Sequence, residues 1–166
     1  MNALPQSVSL DAHFYRCSNP HFPPLSTGGS QKIGGRFNPP GLPTLYMASS
    51  HELAVAESTR ALELTSVPHF APRMLVCVRV HLSAVLDLTD ESSWPDLELD
   101  EGDFTEGWRP GPTKCQVLGR ALADAGFEAV LFPSRLDVSR ANVAVFTANL
   151  LRASLVEVVE TDEVAE

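Results

Sequence analysis

The sequence predicts a single α+β domain in which helices flank a mixed, mostly antiparallel sheet. Two observations predict this class: strand-like segments outnumber helix-like ones, and the two kinds do not alternate regularly as they would in a doubly wound fold. A length of 166 residues with 44% apolar and 20% charged residues fits one globular domain. We therefore treat residues 1–166 as one domain, with a core of about 13–160 and an acidic C-terminal tail.

The N-terminal part holds two predicted strands and a long loop between them. Residues 13–18 (HFYRCS) and 44–48 (TLYMA) have the composition of short strands. Residues 18–43 between them are rich in proline and glycine. Irregular loops of this length inside a compact domain usually carry function, so this segment is a candidate part of a site.

The first predicted helix spans residues 51–64, where helix-forming residues run throughout and Ser49 or Ser50 can act as the N-cap. On a helical wheel the apolar positions share one side: Leu53, Ala54, Ala61 and Leu64. Glu57 falls among them, opposite the solvent side. A carboxylate that faces the interior costs several kcal/mol unless it is paired or hydrogen-bonded. Glu57 is therefore either half of a structural ion pair with an arginine or a residue placed there for chemistry.

A second helix is predicted over residues 112–126, with Gly126 as its C-terminal stop. Its predicted buried face consists of Val117, Leu118, Ala121, Leu122 and Ala125. Four more strands are predicted, at residues 73–82, 128–134, 142–148 and 154–160. The second and third of these are short continuous apolar runs, which is typical of strands buried on both faces, and the last fits an edge strand.

Charge is unevenly distributed along the chain. The net charge of −9 argues against a protein that binds nucleic acid through phosphate contacts. Residues 87–106 hold nine acidic residues and no basic one, which predicts an exposed loop that either contacts a partner or is merely solvated. Five of the 12 basic residues lie in or near the loop and serine segments: Arg16, Lys32, Arg36, Arg135 and Arg140. They form either a basic pocket for an anionic small molecule or scattered surface charges.

Familiar catalytic and metal-binding motifs are absent from the sequence. The segment HELAV has Val55 where a zinc-binding HExxH helix needs its second histidine, and GGSQKIGG lacks the GK[ST] of a phosphate-binding loop. The three cysteines, Cys17, Cys77 and Cys115, show no spacing typical of disulfide frameworks or zinc sites. We expect no metal. No signal peptide or apolar span of about 20 residues is present, which predicts a cytoplasmic protein without membrane contact.

Two further residues are candidates for a site. Ser134 ends a buried strand, where its side chain emerges at a sheet edge, although a turn-forming serine after proline is the simpler interpretation. Tyr46 lies between Arg36 and Glu57 in the sequence, although an aromatic residue in a strand usually belongs to the core.

Six segments together resemble the RES domain family: FYR (14–16), GGRFNPPG (34–41), LYMASS (45–50), LAVAE (53–57), FPSR (132–135) and N-x-x-x-F (142–146). The family name records an arginine, a glutamate and a serine, and the matching residues are Arg36, Glu57 and Ser134. One departure is Phe37, which stands where the family more often has tryptophan. Its effect depends on whether the ring lines the pocket or packs against a partner.

The resemblance implies a fold similar to ADP-ribosyltransferases and a toxin of a bacterial toxin–antitoxin pair that destroys NAD. NAD is then the substrate, cleaved between nicotinamide and ribose by hydrolysis or by phosphorolysis, so no cofactor is needed beyond inorganic phosphate as a second substrate. The implied partner is an Xre-like antitoxin that blocks the pocket, in a homo- or hetero-oligomer. Two alternatives stay open: transfer of ADP-ribose to a protein, and a non-catalytic nucleotide-binding or interaction module.

The chemistry of NAD agrees with the residues that the resemblance singles out. Its diphosphate is best bound by cations that donate two parallel hydrogen bonds to phosphate oxygens, which guanidinium groups can do. Arg36 and Arg16 are therefore the candidates for binding it. Cleavage at the ribose passes through an oxocarbenium-like centre that a fixed carboxylate stabilises, which assigns Glu57 as the catalytic carboxylate. Tyr46 can stack on or wall off the nicotinamide, and the implied catalytic residues are Glu57, Arg36 and Tyr46. The remaining NAD-binding candidates, Ser134 and Asn142, can hydrogen-bond the ligand or hold the arginines.

Overall fold

One mixed sheet with helices around it makes up the described part of the chain, as the α+β prediction requires. The computed structural model describes residues 3–65, 72–107 and 111–164, and only the backbone of residues 62–65. The strands are β1 (Val8–Ser18), β2 (Thr44–Ala48), β3 (Arg73–Asp87), β4 (Ala129–Pro133), β5 (Ala141–Phe146) and β6 (Leu155–Val164). The helices are α1 (Gly28–Ile33), α2 (His51–Thr65), α3 (Glu101–Thr105) and α4 (Lys114–Asp124), with 3₁₀ turns at Glu91–Ser93, Pro95–Leu97 and Thr147–Asn149.

The sheet closes on itself. Its strand order is β1-β2-β5-β4-β3-β6, and an additional pairing of β1 with β3 closes the first five of these strands into a barrel. The 15-residue strand β3 is long enough to pair with β6 along its first part and with β4 at its end. The β3–β4 pairing is parallel, whereas β1–β2, β1–β3, β2–β5, β3–β6 and β4–β5 are antiparallel. Barrel closure removes the sheet edges that β1 and β3 would otherwise expose.

The alternation of side chains along the strands produces two cores. The barrel interior is filled by Phe14, Leu45, Met47, Val76, Val78, Val80, Leu82, Val85, Ala129, Val143 and Val145. Alternate residues of β2, β4 and β5 face outward and pack with α4 and the acidic segment in a second cluster that includes Phe37, Phe104, Leu118 and Phe132. This arrangement explains the unbroken apolar runs of β4 and β5, because both of their faces are covered, as predicted.

Helix α2 begins where the sequence predicts, and the Ser50 hydroxyl caps it by accepting a hydrogen bond from the Leu53 N–H at 3.2 Å. Leu53 and Ala54 are buried as expected. Ala61 is exposed, so its predicted inward position is wrong: among the described side chains, the apolar cluster beneath the helix includes no residue of α2 beyond Ala54. The predicted position of Leu64 lies outside the described side chains.

Helix α4 starts with a capping box in which Gln116 N–H donates to the Thr113 hydroxyl and Gln116 Oε1 accepts from the Thr113 N–H. Leu118 and Leu122 are buried as predicted, but Val117 and Ala125 are exposed. The buried face is centred elsewhere because the helix makes its closest approach to the neighbouring backbone at Gly119. A helical wheel finds the buried face from apolar side chains, so it cannot reveal a contact made at Gly119, which has no side chain.

The acidic segment 87–106 is not the exposed loop that its charge predicts. It folds into two 3₁₀ turns and α3, and it buries Leu88, Trp94, Leu99 and Phe104 in the outer core. The Trp94 ring packs on Phe104 with centroids 4.6 Å apart, and its indole N–H donates to the Leu88 carbonyl at 2.8 Å. Its carboxylates lie mostly at the surface, so the segment is an amphipathic cover on the sheet.

A buried carboxylate next to β4 connects β3 with the segment that precedes β6. Glu128 is fully buried just before β4, and its oxygens accept hydrogen bonds from the backbone N–H groups of Ser83, Ala84 and Leu151 at 2.9, 3.2 and 3.1 Å. Burial by itself raises the pKa of Glu128, but the hydrogen bonds from these N–H groups outweigh it, so the pKa lies below its usual value.

Glu128→Gln is expected to lower the free energy of unfolding by about 2–3 kcal/mol at pH 7, because the amide loses the charge that three N–H groups contact. Since the folded pKa is depressed, this contribution is present above the unfolded pKa of about 4.3 and is lost as the pH falls through the folded pKa. Urea denaturation between pH 3 and 7 measures both effects. Glu157→Gln, at an exposed position of β6, is the control and should change little; equal losses in the two variants would contradict the assignment.

Candidate active site

Three of the predicted site residues meet at one carboxylate oxygen. The Ser134 hydroxyl donates to Glu57 Oε1 at 2.7 Å, and the Asn142 side-chain N–H donates to the same oxygen at 2.9 Å. These residues come from α2, from the end of β4 and from β5, respectively. Two donors on one oxygen fix the orientation of the carboxylate, and Glu57 Oε2 accepts no hydrogen bond from the described residues.

Glu57 is half-buried, and no arginine of the described chain lies within ion-pair distance of it. The alternative of a structural ion pair between Glu57 and an arginine is therefore not what the structure shows. The carboxylate is held by neutral donors instead, which orient it without cancelling its charge. This is the arrangement that a carboxylate needs if it is to act on a cationic centre.

Ser134 satisfies both interpretations of its sequence position. It is fully buried, and besides donating to Glu57 its hydroxyl accepts from the Leu136 N–H at 3.1 Å, as a turn-forming serine does. Because the hydroxyl has a single hydrogen, its donation to Glu57 is fixed. The neighbouring Asn142 Oδ1 is buried and has no hydrogen-bond partner among the described residues.

Arg36 lies in the loop before β2 and binds the acidic segment through its guanidinium. Nη1 donates to the Asp103 carbonyl at 2.6 Å and Nη2 to the Glu106 carbonyl at 2.7 Å. Burial lowers the pKa of Arg36, and the charge of Arg135 lowers it further, while Cys115 and Glu57 act in the opposite direction. Arg36 is therefore close enough to Glu57 and Arg135 to feel their charges, and it lines a cavity of about 40 Å³.

Tyr46 holds the turn that carries Arg36. Its hydroxyl accepts from the Phe37 N–H at 2.9 Å and donates to Asn38 Oδ1 at 2.7 Å. Burial raises the pKa of Tyr46, so its hydroxyl keeps its proton at neutral pH. Gly35 is required by this contact, because a Cβ there would lie 2.7 Å from the Tyr46 oxygen. The phenol therefore positions the Arg36 turn, and its predicted stacking on nicotinamide stays a prediction.

Gln116 and Asn38 belong to the same network and were missed in the sequence. Gln116 is almost fully buried, and its side-chain N–H₂ donates to the Gly35 carbonyl at 3.0 Å and the Asn38 carbonyl at 3.4 Å. The Asn38 side chain donates to the carbonyls of Ser30, Pro39 and Leu42. The capping-box spacing of Thr113 and Gln116 was the available signal for one of them.

Phe37 is fully buried and packs on Phe132 with ring centroids 4.7 Å apart. A ring in the outer core neither lines a pocket nor reaches a partner protein. The departure from tryptophan at this position is therefore a core substitution.

The predicted basic cluster does not assemble as a whole. Arg16 extends from the same side of β1 as Phe14, which is the inner face, and it donates to the Ser26 carbonyl at 3.0 Å. Burial lowers the pKa of Arg16. Arg140 pairs with Asp137 at 3.3 Å, and Lys32 is exposed. The structure does not bring Arg16 to Glu57, so its contact with NAD stays a prediction.

Two kinds of feature are absent from the described residues, a metal site and a membrane-spanning helix. No group of His, Cys, Asp and Glu side chains in residues 3–65, 72–107 and 111–164 is arranged to hold a metal ion. None of the helices in these ranges combines the length and apolarity needed to span a membrane.

Comparison with known proteins identifies relatives of the chain. It is 33% identical over 128 residues to NAD(+) phosphorylase MbcT from Mycobacterium bovis, a match that covers 72% of this chain and 66% of the relative. The proteins of the same name from two strains of Mycobacterium tuberculosis match equally. The chain thus spans slightly less than two thirds of the length of these curated relatives.

A solved structure and a family model agree with these matches. The crystal structure of the M. tuberculosis MbcT–MbcA toxin–antitoxin complex superposes with a TM-score of 0.83 at 25% identity, over 95% of this chain and 86% of that one. The model of the RES domain matches residues 13–165, a range that contains Arg36, Glu57 and Ser134. The barrel, the serine and amide that hold Glu57, and this match over nearly the whole chain lead to one conclusion: the protein belongs to the RES domain family.

Proposed function

We propose that this protein is the toxin of a bacterial toxin–antitoxin pair and depletes NAD by cleaving the bond between nicotinamide and ribose, with inorganic phosphate as the acceptor. The observation that carries the proposal is the convergence of Ser134 and Asn142 on one oxygen of Glu57. This leaves a second, oriented carboxylate oxygen for the substrate. The phosphorylase name of its relatives supports phosphate rather than water as the acceptor.

Glu57 acts on the charge that develops at the ribose. As the glycosidic bond breaks, its electron pair moves onto the positively charged pyridinium nitrogen, and nicotinamide leaves as a neutral molecule. Positive charge then builds on the anomeric carbon and the ring oxygen, where a carboxylate held by neutral donors stabilises it. A phosphate oxygen attacks the same carbon and forms ADP-ribose 1-phosphate. With water in place of phosphate, the product is ADP-ribose and one proton is released.

Arg36 is proposed to bind the phosphate groups of the substrate. The planar N–H groups of a guanidinium can donate two parallel hydrogen bonds to phosphate oxygens, and its positive charge complements theirs. The carbonyls of Asp103 and Glu106 fix the guanidinium, and the Tyr46 and Gln116 contacts fix the turn beneath it. The predicted similarity to the ADP-ribosyltransferase fold belongs to the same proposal and rests on the resemblance to the RES domain family.

An antitoxin is the proposed partner, and the cytoplasm is the proposed location. The similar solved structure is a complex of a toxin with its antitoxin. In this chain the loop that begins at Ser134 carries exposed apolar side chains, with Leu136 40% and Val138 62% exposed. A protein that covers this loop would lie beside Ser134, the residue that donates to Glu57.

Purified protein incubated with NAD, with and without inorganic phosphate, tests the function. Loss of NAD should be matched by equimolar nicotinamide, with ADP-ribose 1-phosphate as the second product in phosphate and ADP-ribose without it. Label from NAD appearing on protein would instead support transfer of ADP-ribose to a protein. NAD that survives with no modified protein contradicts both enzymatic functions.

A further inference from the structure

We propose that Arg135 joins Arg36 to form a two-arginine site for a phosphate group beside Glu57. The inference rests on the proposed cleavage of NAD and adds a second binding residue to it. Arg135 directly follows Ser134, whose hydroxyl is bonded to Glu57 at 2.7 Å. Its backbone is therefore fixed next to the carboxylate.

The two guanidinium groups approach one another at Gly107. Arg36 and Gly107 line the same cavity of about 40 Å³, together with residues of α3 and the start of α4. Arg135 Nη1 lies 3.6 Å from the point where a Cβ on Gly107 would stand. Two cationic side chains from distant parts of the sequence thus border the same short stretch of backbone.

Neither arginine is neutralised by a carboxylate in the described chain. No Asp or Glu of residues 3–65, 72–107 and 111–164 lies within ion-pair distance of Arg36 or Arg135, although the acidic segment borders the cavity. The mutual repulsion of the two arginines contributes to the lowered pKa of Arg36, after burial. Like charges held together at a half-buried position are stabilised by an anion between them, and a phosphate group supplies both charge and acceptor oxygens.

The hydrogen-bond donors needed for such a ligand remain free. A guanidinium has five N–H groups, and Arg36 uses only Nη1 and Nη2 hydrogens on the Asp103 and Glu106 carbonyls. These two contacts hold its plane in place, so the remaining donors are already oriented. Arg135 makes no side-chain hydrogen bond to another described residue, and Arg140, on the same loop, is occupied by Asp137 and Ser50.

The ligand is a phosphate group that has two sources in the proposed reaction. Inorganic phosphate would stand near Glu57 as the acceptor, and the diphosphate of NAD would anchor the substrate there. Steady-state kinetics of Arg135→Gln separate the two, with phosphate varied at saturating NAD and NAD varied at saturating phosphate. Arg140→Gln is the matched control, since it removes a neighbouring arginine that pairs with Asp137.

If the site holds the acceptor, R135Q raises the KM for phosphate by about tenfold or more and shifts the product toward ADP-ribose, with little change in the KM for NAD. If it holds the diphosphate, the KM for NAD rises by a similar factor with or without phosphate. The proposal is overturned if R135Q and R140Q have equal KM values for phosphate and for NAD. It is also overturned if Arg135→Lys does not bring the raised KM of R135Q part of the way back to the wild-type value.

A binding experiment keeps this inference separate from the proposed function. Inorganic phosphate and pyrophosphate are titrated calorimetrically into the wild type, R135Q and R140Q, after equal melting temperatures have shown that all three fold. At least one of the anions should bind the wild type and R140Q, and bind R135Q about tenfold more weakly or worse. Absence of binding to the wild type overturns the anion site even if NAD is cleaved, whereas binding without NAD cleavage overturns only the proposed function.

Discussion

Glu57→Gln is expected to reduce kcat for NAD cleavage by about 100- to 1000-fold while leaving the KM for NAD nearly unchanged. The glutamine carbonyl oxygen can still accept from Ser134 and Asn142, so the geometry of the site is retained and only the charge is lost. A group that stabilises charge only in the transition state contributes to kcat and not to substrate binding. Steady-state kinetics with NAD and phosphate measure both constants.

The matched control is Glu52→Gln, on the same helix but exposed and paired with His51 at 2.7 Å. E52Q should keep wild-type kinetics. In cells, expression of E57Q should no longer arrest growth, whereas a non-catalytic binding module would arrest growth regardless of this substitution. The melting temperature of E57Q should equal or exceed that of the wild type, as is common when a functional carboxylate is neutralised. Unchanged kcat in E57Q refutes its assignment as the catalytic carboxylate.

Gly119→Ala is expected to destabilise the fold by about 3 kcal/mol or more. A Cβ at this position would stand 1.7 Å from the Phe37 carbonyl oxygen, which is backbone and cannot rotate away. Helix α4 and the Arg36 turn would therefore have to separate, which disturbs the Gln116 contacts on the same helix. In the interior of a helix, glycine to alanine normally stabilises by about 1 kcal/mol, so even the sign of the effect is informative.

Gly29→Ala provides the comparison, because Gly29 also lies in a helix but no atom from beyond its chain neighbours and its own helix backbone stands within 4 Å of its Cβ position. It should be neutral or slightly stabilising. Urea denaturation gives both free energies of unfolding, and kcat/KM of the remaining folded G119A should also fall, since the Arg36 turn has moved. A G119A protein as stable as the wild type would show that α4 does not clamp this turn.

Local periodicity was enough to predict most of the elements. Strand β2 has the predicted bounds, α2 starts at His51 after its Ser50 cap, and β4 and β5 are buried on both faces. The helical wheel also placed Glu57 away from the solvent side, and Glu57 is half-buried in the structure. Periodicity of 3.6 residues per turn is enough for this, because it indicates which face of a helix is buried. These features depend on residues that are near one another in the sequence.

Features that depend on distant residues could not be predicted in this way. The pairing of β1 with β3 closes the barrel, so that Arg16, on the same side of β1 as Phe14, extends from the inner face. The many acidic residues of segment 87–106 make it look solvent-exposed in the sequence. Trp94 and Phe104 nevertheless pack in the core and hold the segment against the sheet. The burial of Phe37 follows from the close approach of Gly119, which has no side chain to reveal it.

The long sequence separations within the site have a kinetic consequence. Glu57 is 77 residues from Ser134 and 85 from Asn142, and Arg36 is 67 and 70 residues from the two carbonyls that fix its guanidinium. Contacts of this kind close large loops, and the entropy cost of closing them slows folding. During synthesis, the carboxylate cannot be oriented until the ribosome has released the strand that carries Asn142. On the proposed function, a nascent chain that lacks this strand would not yet cleave NAD, and an inhibitory partner would have only the finished barrel to recognise.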